Sequence, residues 1–119
     1  MPLVRIEVLE GRPDDYRRAV GDAVHRALVE TMGVTEDDRF QLITEHSAAN
    51  FNYAREAGAA TRTDRLVVIS ITLNIGRTPA MKREFYQRVV DLLGQSVGLA
   101  PDDVFIGLVE VDPENWFVV

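Results

Sequence analysis

With 119 residues, 46% hydrophobic and 27% charged, the chain is one domain's worth of ordinary globular sequence. Its formal charge of −6 gives no electrostatic case for nucleic acid or an anionic membrane, so any anionic ligand must be met by local arginines. The lack of cysteine excludes disulfides, thiolate metal sites and a cysteine nucleophile, and no apolar run suggests a membrane span or signal peptide, so the expected location is the cytoplasm.

The chain opens MPLVRIEV. Initiator methionine is removed when the next side chain is small, so Pro2 can become a free amino terminus, a secondary amine at the head of a rigid element. Val4, Ile6 and Val8 alternate with Arg5 and Glu7, the period of a strand that ends near Gly11. After Pro13 comes a helix, with Tyr16, Val20, Val24, Leu28 and Met32 at four-residue spacing beside Ala19, Ala23 and Ala27. Gly33 stops it. His25 lies beside the apolar stripe, a surface or boundary position rather than a base. Asp37 and Asp38 mark a turn, and RFQLITEH reads as a second strand ending at His46.

Residues 47–65 have weak periodicity. A connection of that length in a compact domain is usually a functional loop or holds a short strand of its own. Asn52, Tyr53, Arg55 and Arg62 are its candidates for reaching a site. A third strand follows, with Ile69, Ile71 and Leu73 alternating with Ser70 and Thr72. A second helix starts at Pro79, where a missing N–H costs nothing, with Thr78 available as its cap. Met81, Phe85, Val89, Leu93 and Val97 form its stripe, Gly98 stops it, and VFIGLVEV is the fourth strand. Beyond Pro113, Trp116 and Phe117 are placed to wall a pocket or pack on a neighbouring subunit.

The chain is written twice. Gly11-Arg12 recurs as Gly76-Arg77, Gly33 as Gly98, Asp37-Asp38 as Asp102-Asp103, Phe40 as Phe105 and Glu45 as Glu110, all at one separation of 65 residues. Residues 2–46 and 67–111 are therefore two copies of a strand–helix–strand unit, joined by 47–65 within a single domain, 1–119. Each unit is a crossover joining two parallel strands. Together they predict an α/β (α+β) fold, a four-stranded sheet with both helices on one face. The other face, carrying Leu3, Val68 and similar residues, has no helix to cover it, which argues for an oligomer.

Pro2 on the first strand, the duplicated unit, DDRFQLITEH and LNIGRT together resemble the tautomerase superfamily, and within it the fused-subunit branch related to malonate semialdehyde decarboxylase. The resemblance covers nearly the whole chain. It implies a homotrimer whose three sheets form a barrel, with the amino-terminal proline in a pocket and with neither metal nor organic cofactor. That branch pairs its proline with an aspartate before the second strand, matched by Asp38, and with two arginines after the third. Arg77 matches the second arginine, while Asn74 and Ile75 stand where the first is expected, a departure that favours a plainer tautomerase.

Elementary chemistry supports these assignments. An amino-terminal amine titrates at roughly 7.7–8.0; a nearby guanidinium and desolvation favour its neutral, basic form. Only the first copy can supply that amine, because the second has the chain-internal Val67. The planar fork of Arg77 suits a carboxylate, and its charge opposes the dipole of the helix it precedes, which raises the functional reading. Arg12 holds the equivalent place in the first copy and reads as structural. Asp38 is an orienting or catalytic candidate, with a turn aspartate as the plain alternative. His46, Tyr53, Asn74 and Trp116 are candidates for contacting substrate. Two isolated histidines make no metal site. The leading expectation is keto–enol tautomerisation of a small 2-oxo acid, with decarboxylation or hydration of a related 3-oxo acid, or a non-catalytic oligomer, as alternatives.

Overall fold

The computed structural model describes residues 1–119. In chain order they form strand β1 (Leu3–Leu9), helix α1 (Asp14–Met32), β2 (Phe40–His46), β3 (Val67–Asn74), α2 (Pro79–Val97) and β4 (Val104–Val111). The predicted strand–helix–strand repeat is therefore realised element by element. Pro13 sits extended before α1, and Asp14 and Asp15 put negative charge in its first turn, where the helix dipole favours it. Thr78 caps α2 by accepting the backbone N–H of Met81 at 3.2 Å. Gly33 and Gly98, at φ 73 and 66, reverse the chain after the two helices in the left-handed conformation that a side chain resists.

The sheet order is β2-β1-β3-β4. Within each half the strands are parallel, Leu3 beside Phe40 and Val67 beside Val104. The halves meet antiparallel, Val8 beside Val67 and Leu3 beside Thr72. This joint decides where the site can be: the start of β1 lies next to the end of β3 and the start of β2.

Val4, Ile6 and Val8 of β1 and Val67, Ile69, Ile71 and Leu73 of β3 point under the helices and are buried. Val20, Val24, Leu28, Phe85, Val89 and Leu93 meet them from α1 and α2. Each such side chain contributes about 1.5–3 kcal/mol of burial, so this layer dominates stability. A Cβ at Gly21 inside α1 would meet the Gln41 Oε1 at 2.6 Å, so the glutamine side chain would have to shift. The opposite face is bare: Phe40, Leu42, Phe105 and Val109 are each about half exposed.

One expectation changes, and one choice between alternatives is settled. His25 is buried at 6% exposure, where its Nε2 donates to the Glu36 carbonyl at 2.7 Å, so it is neither a surface nor a boundary residue. The 47–65 connection forms a short 3-10 turn at Ala48–Asn50 and further turns, with no strand of its own. It is tied down by the second copy's aspartates: Asp102 accepts the Thr61 N–H, and Asp103 accepts both the N–H and hydroxyl of Thr63.

Candidate active site

Pro2 is buried immediately before β1. The chain's amino-terminal nitrogen, on Met1, lies 3.7 Å from Asp38 Oδ2, across the turn that leads into β2. The other Asp38 oxygen, Oδ1, is buried and receives no hydrogen bond from the protein. A buried acceptor left unpaired costs about 1–3 kcal/mol. The equivalent Asp103 is fully partnered through Thr63. The same residue type at the same repeat position thus serves structure in one half and faces the amino terminus, incompletely satisfied, in the other.

Continuing the β1–β3 register beyond Leu3 and Thr72 brings Asn74 level with the amino terminus. Its Oδ1 accepts the indole N–H of Trp116 at 2.7 Å, so the segment after β4 folds back over this end of the sheet. Arg77 belongs to the same end, but its guanidinium is already engaged. Nε and Nη2 donate to the Met32 carbonyl at the last turn of α1, at 3.2 and 3.1 Å, and Nη1 to the Asn74 carbonyl at 3.2 Å. Three of its five N–H groups are used this way, and two remain for a ligand. At the end of α2 the same carbonyl-capping task falls to Arg65, which donates to Val97 and Gly98. Arg12, the repeat equivalent of Arg77, instead lies over the Tyr16 ring.

Pro2, Asp38, Asn74, Arg77 and Trp116 therefore share one end of the sheet. Within one chain His46 and Tyr53 do not join them. Because β2 runs parallel to β1, the residue that ends β2 is level with Leu9, a strand's length from Pro2. There His46 stacks on Phe51, which meets Tyr53 edge-on, and Nε2 of His46 lies 3.3 Å from Glu7. Arg55 pairs with Asp64, and Arg62 donates to carbonyls within its own loop.

Family models described as "Tautomerase enzyme" match residues 38–118 and 2–56. The chain belongs to the tautomerase superfamily. It is 31% identical over 116 residues to the probable tautomerase YusQ of Bacillus subtilis, covering 98% of this chain and 91% of that one. Among solved structures, a malonate semialdehyde decarboxylase inhibited by 3-bromopropiolate is 35% identical, with a TM-score of 0.89 over 97% of this chain and 87% of that one. A second malonate semialdehyde decarboxylase, described as having decarboxylase and hydratase activities, is 27% identical, with a TM-score of 0.91 over 97% and 88%. The superfamily assignment and the β-α-β fold read from the repeat both stand.

Sequence reasoning missed the structural duty of Arg77 and the burial of His25. The first has no local signal, since Met32 and Arg77 are 45 residues apart. The second had one: position 25 falls next to Val24 and Leu28, inside a stripe wide enough to enclose it.

Proposed function

We propose that the protein is a cofactor-independent keto–enol tautomerase of small 2-oxo acids that works from the Pro2 amine once Met1 is removed. The observation that carries this is the position of Asp38, 3.7 Å from the Met1 nitrogen and so one residue ahead of Pro2, at the end of the sheet that also holds Arg77, in a chain of the tautomerase superfamily. The free Pro2 nitrogen takes a proton from the enol oxygen and returns one to the substrate's C3, or runs the reverse. Asp38 orients the amine or a water through its open oxygen. The two uncommitted N–H groups of Arg77 hold the substrate carboxylate. With Met1 attached the Pro2 nitrogen is an amide and cannot act as a base.

A second reading is decarboxylation of a 3-oxo acid or hydration of an activated double bond. Asp38 favours it, because a carboxylate beside an ammonium stabilises the charged amine, an acid rather than a base. The likeness to the two decarboxylase structures supports it, while Ile75, in the place of that branch's first arginine, speaks for the tautomerase. A third reading, a non-catalytic oligomer, is strongly favoured if methionine is retained. Mass analysis of the amino terminus of protein from its native cells, followed by turnover of a panel of enols and 3-oxo acids, decides among the three. Turnover of 3-oxo acids without enols overturns the tautomerase, and a retained Met1 overturns both enzymes. The bare sheet face calls for a partner, and the superfamily likeness supports a homotrimer as the working assembly.

A further inference from the structure

The two halves brace the turn before their second strand differently. The turn itself is the same: the Asp38 N–H donates to the Thr35 carbonyl at 3.1 Å, and the Asp103 N–H to the equivalent Ala100 carbonyl at 3.0 Å. In the second half Pro101 fixes the backbone from within, and the side chain of Asp103 is held by Thr63 at 2.7 Å through each oxygen. The first half has neither brace. Glu36 replaces Pro101, and Asp38 Oδ1 has no donor. Instead His25 reaches from α1 and donates to the Glu36 carbonyl, two residues before Asp38. The second half has Val90 at the position of His25, so the helix packing does not itself require an imidazole.

An aspartate with an unpaired buried oxygen lies uphill of one that swings into water, and such an arrangement persists only where its surroundings hold it. We propose that His25 is a positioning residue, which holds the Thr35–Asp38 turn through the Glu36 carbonyl and so keeps the Asp38 carboxylate against the amino-terminal nitrogen. This rests on the reading that the Pro2 amine works beside Asp38. Among charged side chains, Asp38 is the one in ion-pair contact with the Met1 ammonium, one residue ahead of the nitrogen that Met1 removal frees on Pro2.

The test uses Met1-free enzyme, verified by mass, with phenylenolpyruvate as the probe substrate and 15N-labelled proline to follow the titration of Pro2 by NMR. Asp38→Asn is expected to lower the titration midpoint of Pro2, since the amine loses a neighbouring negative charge. His25→Leu is expected to lower it in the same direction and to reduce kcat about ten- to hundredfold, with KM little changed. His25→Gln, which keeps a donor, is expected to recover most of both. The pair His25→Val with Glu36→Pro copies the backbone part of the second half's solution, and the Glu36 N–H donates to no backbone carbonyl that proline would orphan. That pair is expected to return the midpoint to the wild-type value even if His25→Leu fails to fold. A folded His25→Leu enzyme with wild-type midpoint and kcat overturns the positioning role, as does a paired variant whose midpoint stays displaced. An Asp38→Asn enzyme with unchanged midpoint and kcat overturns the Pro2–Asp38 reading itself.

Discussion

At the scale of single residues, repeat-equivalent side chains have separated into structural and candidate functional members. Pro2 and Asp38 could be singled out as candidates in the sequence because their signals are local, a small residue after Met1 and an aspartate before a strand. Replacing Pro2 by Ala leaves a primary amine that is more mobile. Activity is expected to fall sharply while the circular dichroism spectrum is unchanged, because residue 2 precedes the paired part of β1. The pH profile of kcat/KM in processed enzyme is expected to rise through the titration of the Pro2 amine, since only the neutral form accepts a proton. A profile that falls through it selects the decarboxylase or hydratase. Arg77→Ala should show two effects, because its side chain serves both the α1 terminus and the candidate substrate site. Loss of its carbonyl contacts is expected to destabilise the fold by about 1–3 kcal/mol. Loss of its remaining donors should raise KM for a 2-oxo acid roughly ten- to hundredfold. Thermal melts and kinetics separate the two effects, and Arg12→Ala is the control expected to leave KM unchanged.

At the scale of elements, the sequence disclosed what depends on periodicity and hid what depends on direction. Apolar spacing and the Gly33 and Gly98 stops bounded both helices, because burial and left-handed backbone leave marks at fixed positions. The antiparallel joint of β1 and β3 leaves no such mark, so the sequence did not tell which ends of the two halves would meet. The place of His46 does not depend on that joint: the parallel crossover of the first half already implied that the end of β2 is far from the start of β1 in the same chain. The helices also carry a pH-dependent link. Glu30 of α1 accepts from Arg88 of α2 and from Arg26, and these hydrogen bonds, that of Arg88 foremost, hold its carboxyl below the ordinary value near 4.5. A lowered folded value means stabilisation that is present above the unfolded value and lost as pH falls through the folded one. Glu30→Gln is therefore expected to lower the melting temperature at neutral pH. The difference should close on acidification below about pH 4.5. A gap unchanged at low pH would show that the link contributes through packing rather than charge.

At the scale of the whole molecule, the uncovered sheet face was legible because two helices can cover only one side of four strands. What covers it was not, since an exposed Phe105 or Val109 is compatible with any apolar partner. In the homotrimer proposed above two further copies of this chain cover it, and the face can be tested without disturbing the fold. Leu42 lies on β2, is 53% exposed in the single chain and points away from the helices. An aspartate there removes little from the monomer's core, so its far-ultraviolet spectrum should match the wild type. Against a neighbouring sheet the same carboxylate would be desolvated without a partner, which an interface tolerates poorly. Sedimentation is expected to give the mass of three chains for the wild-type protein and of one for Leu42→Asp. If the walls of the Pro2 site are completed by neighbouring chains, kcat/KM should fall with dissociation and recover as protein concentration rises. A wild-type protein that sediments as a stable monomer at micromolar concentration removes the trimer. A monomeric but fully active Leu42→Asp variant would confine the site to one chain.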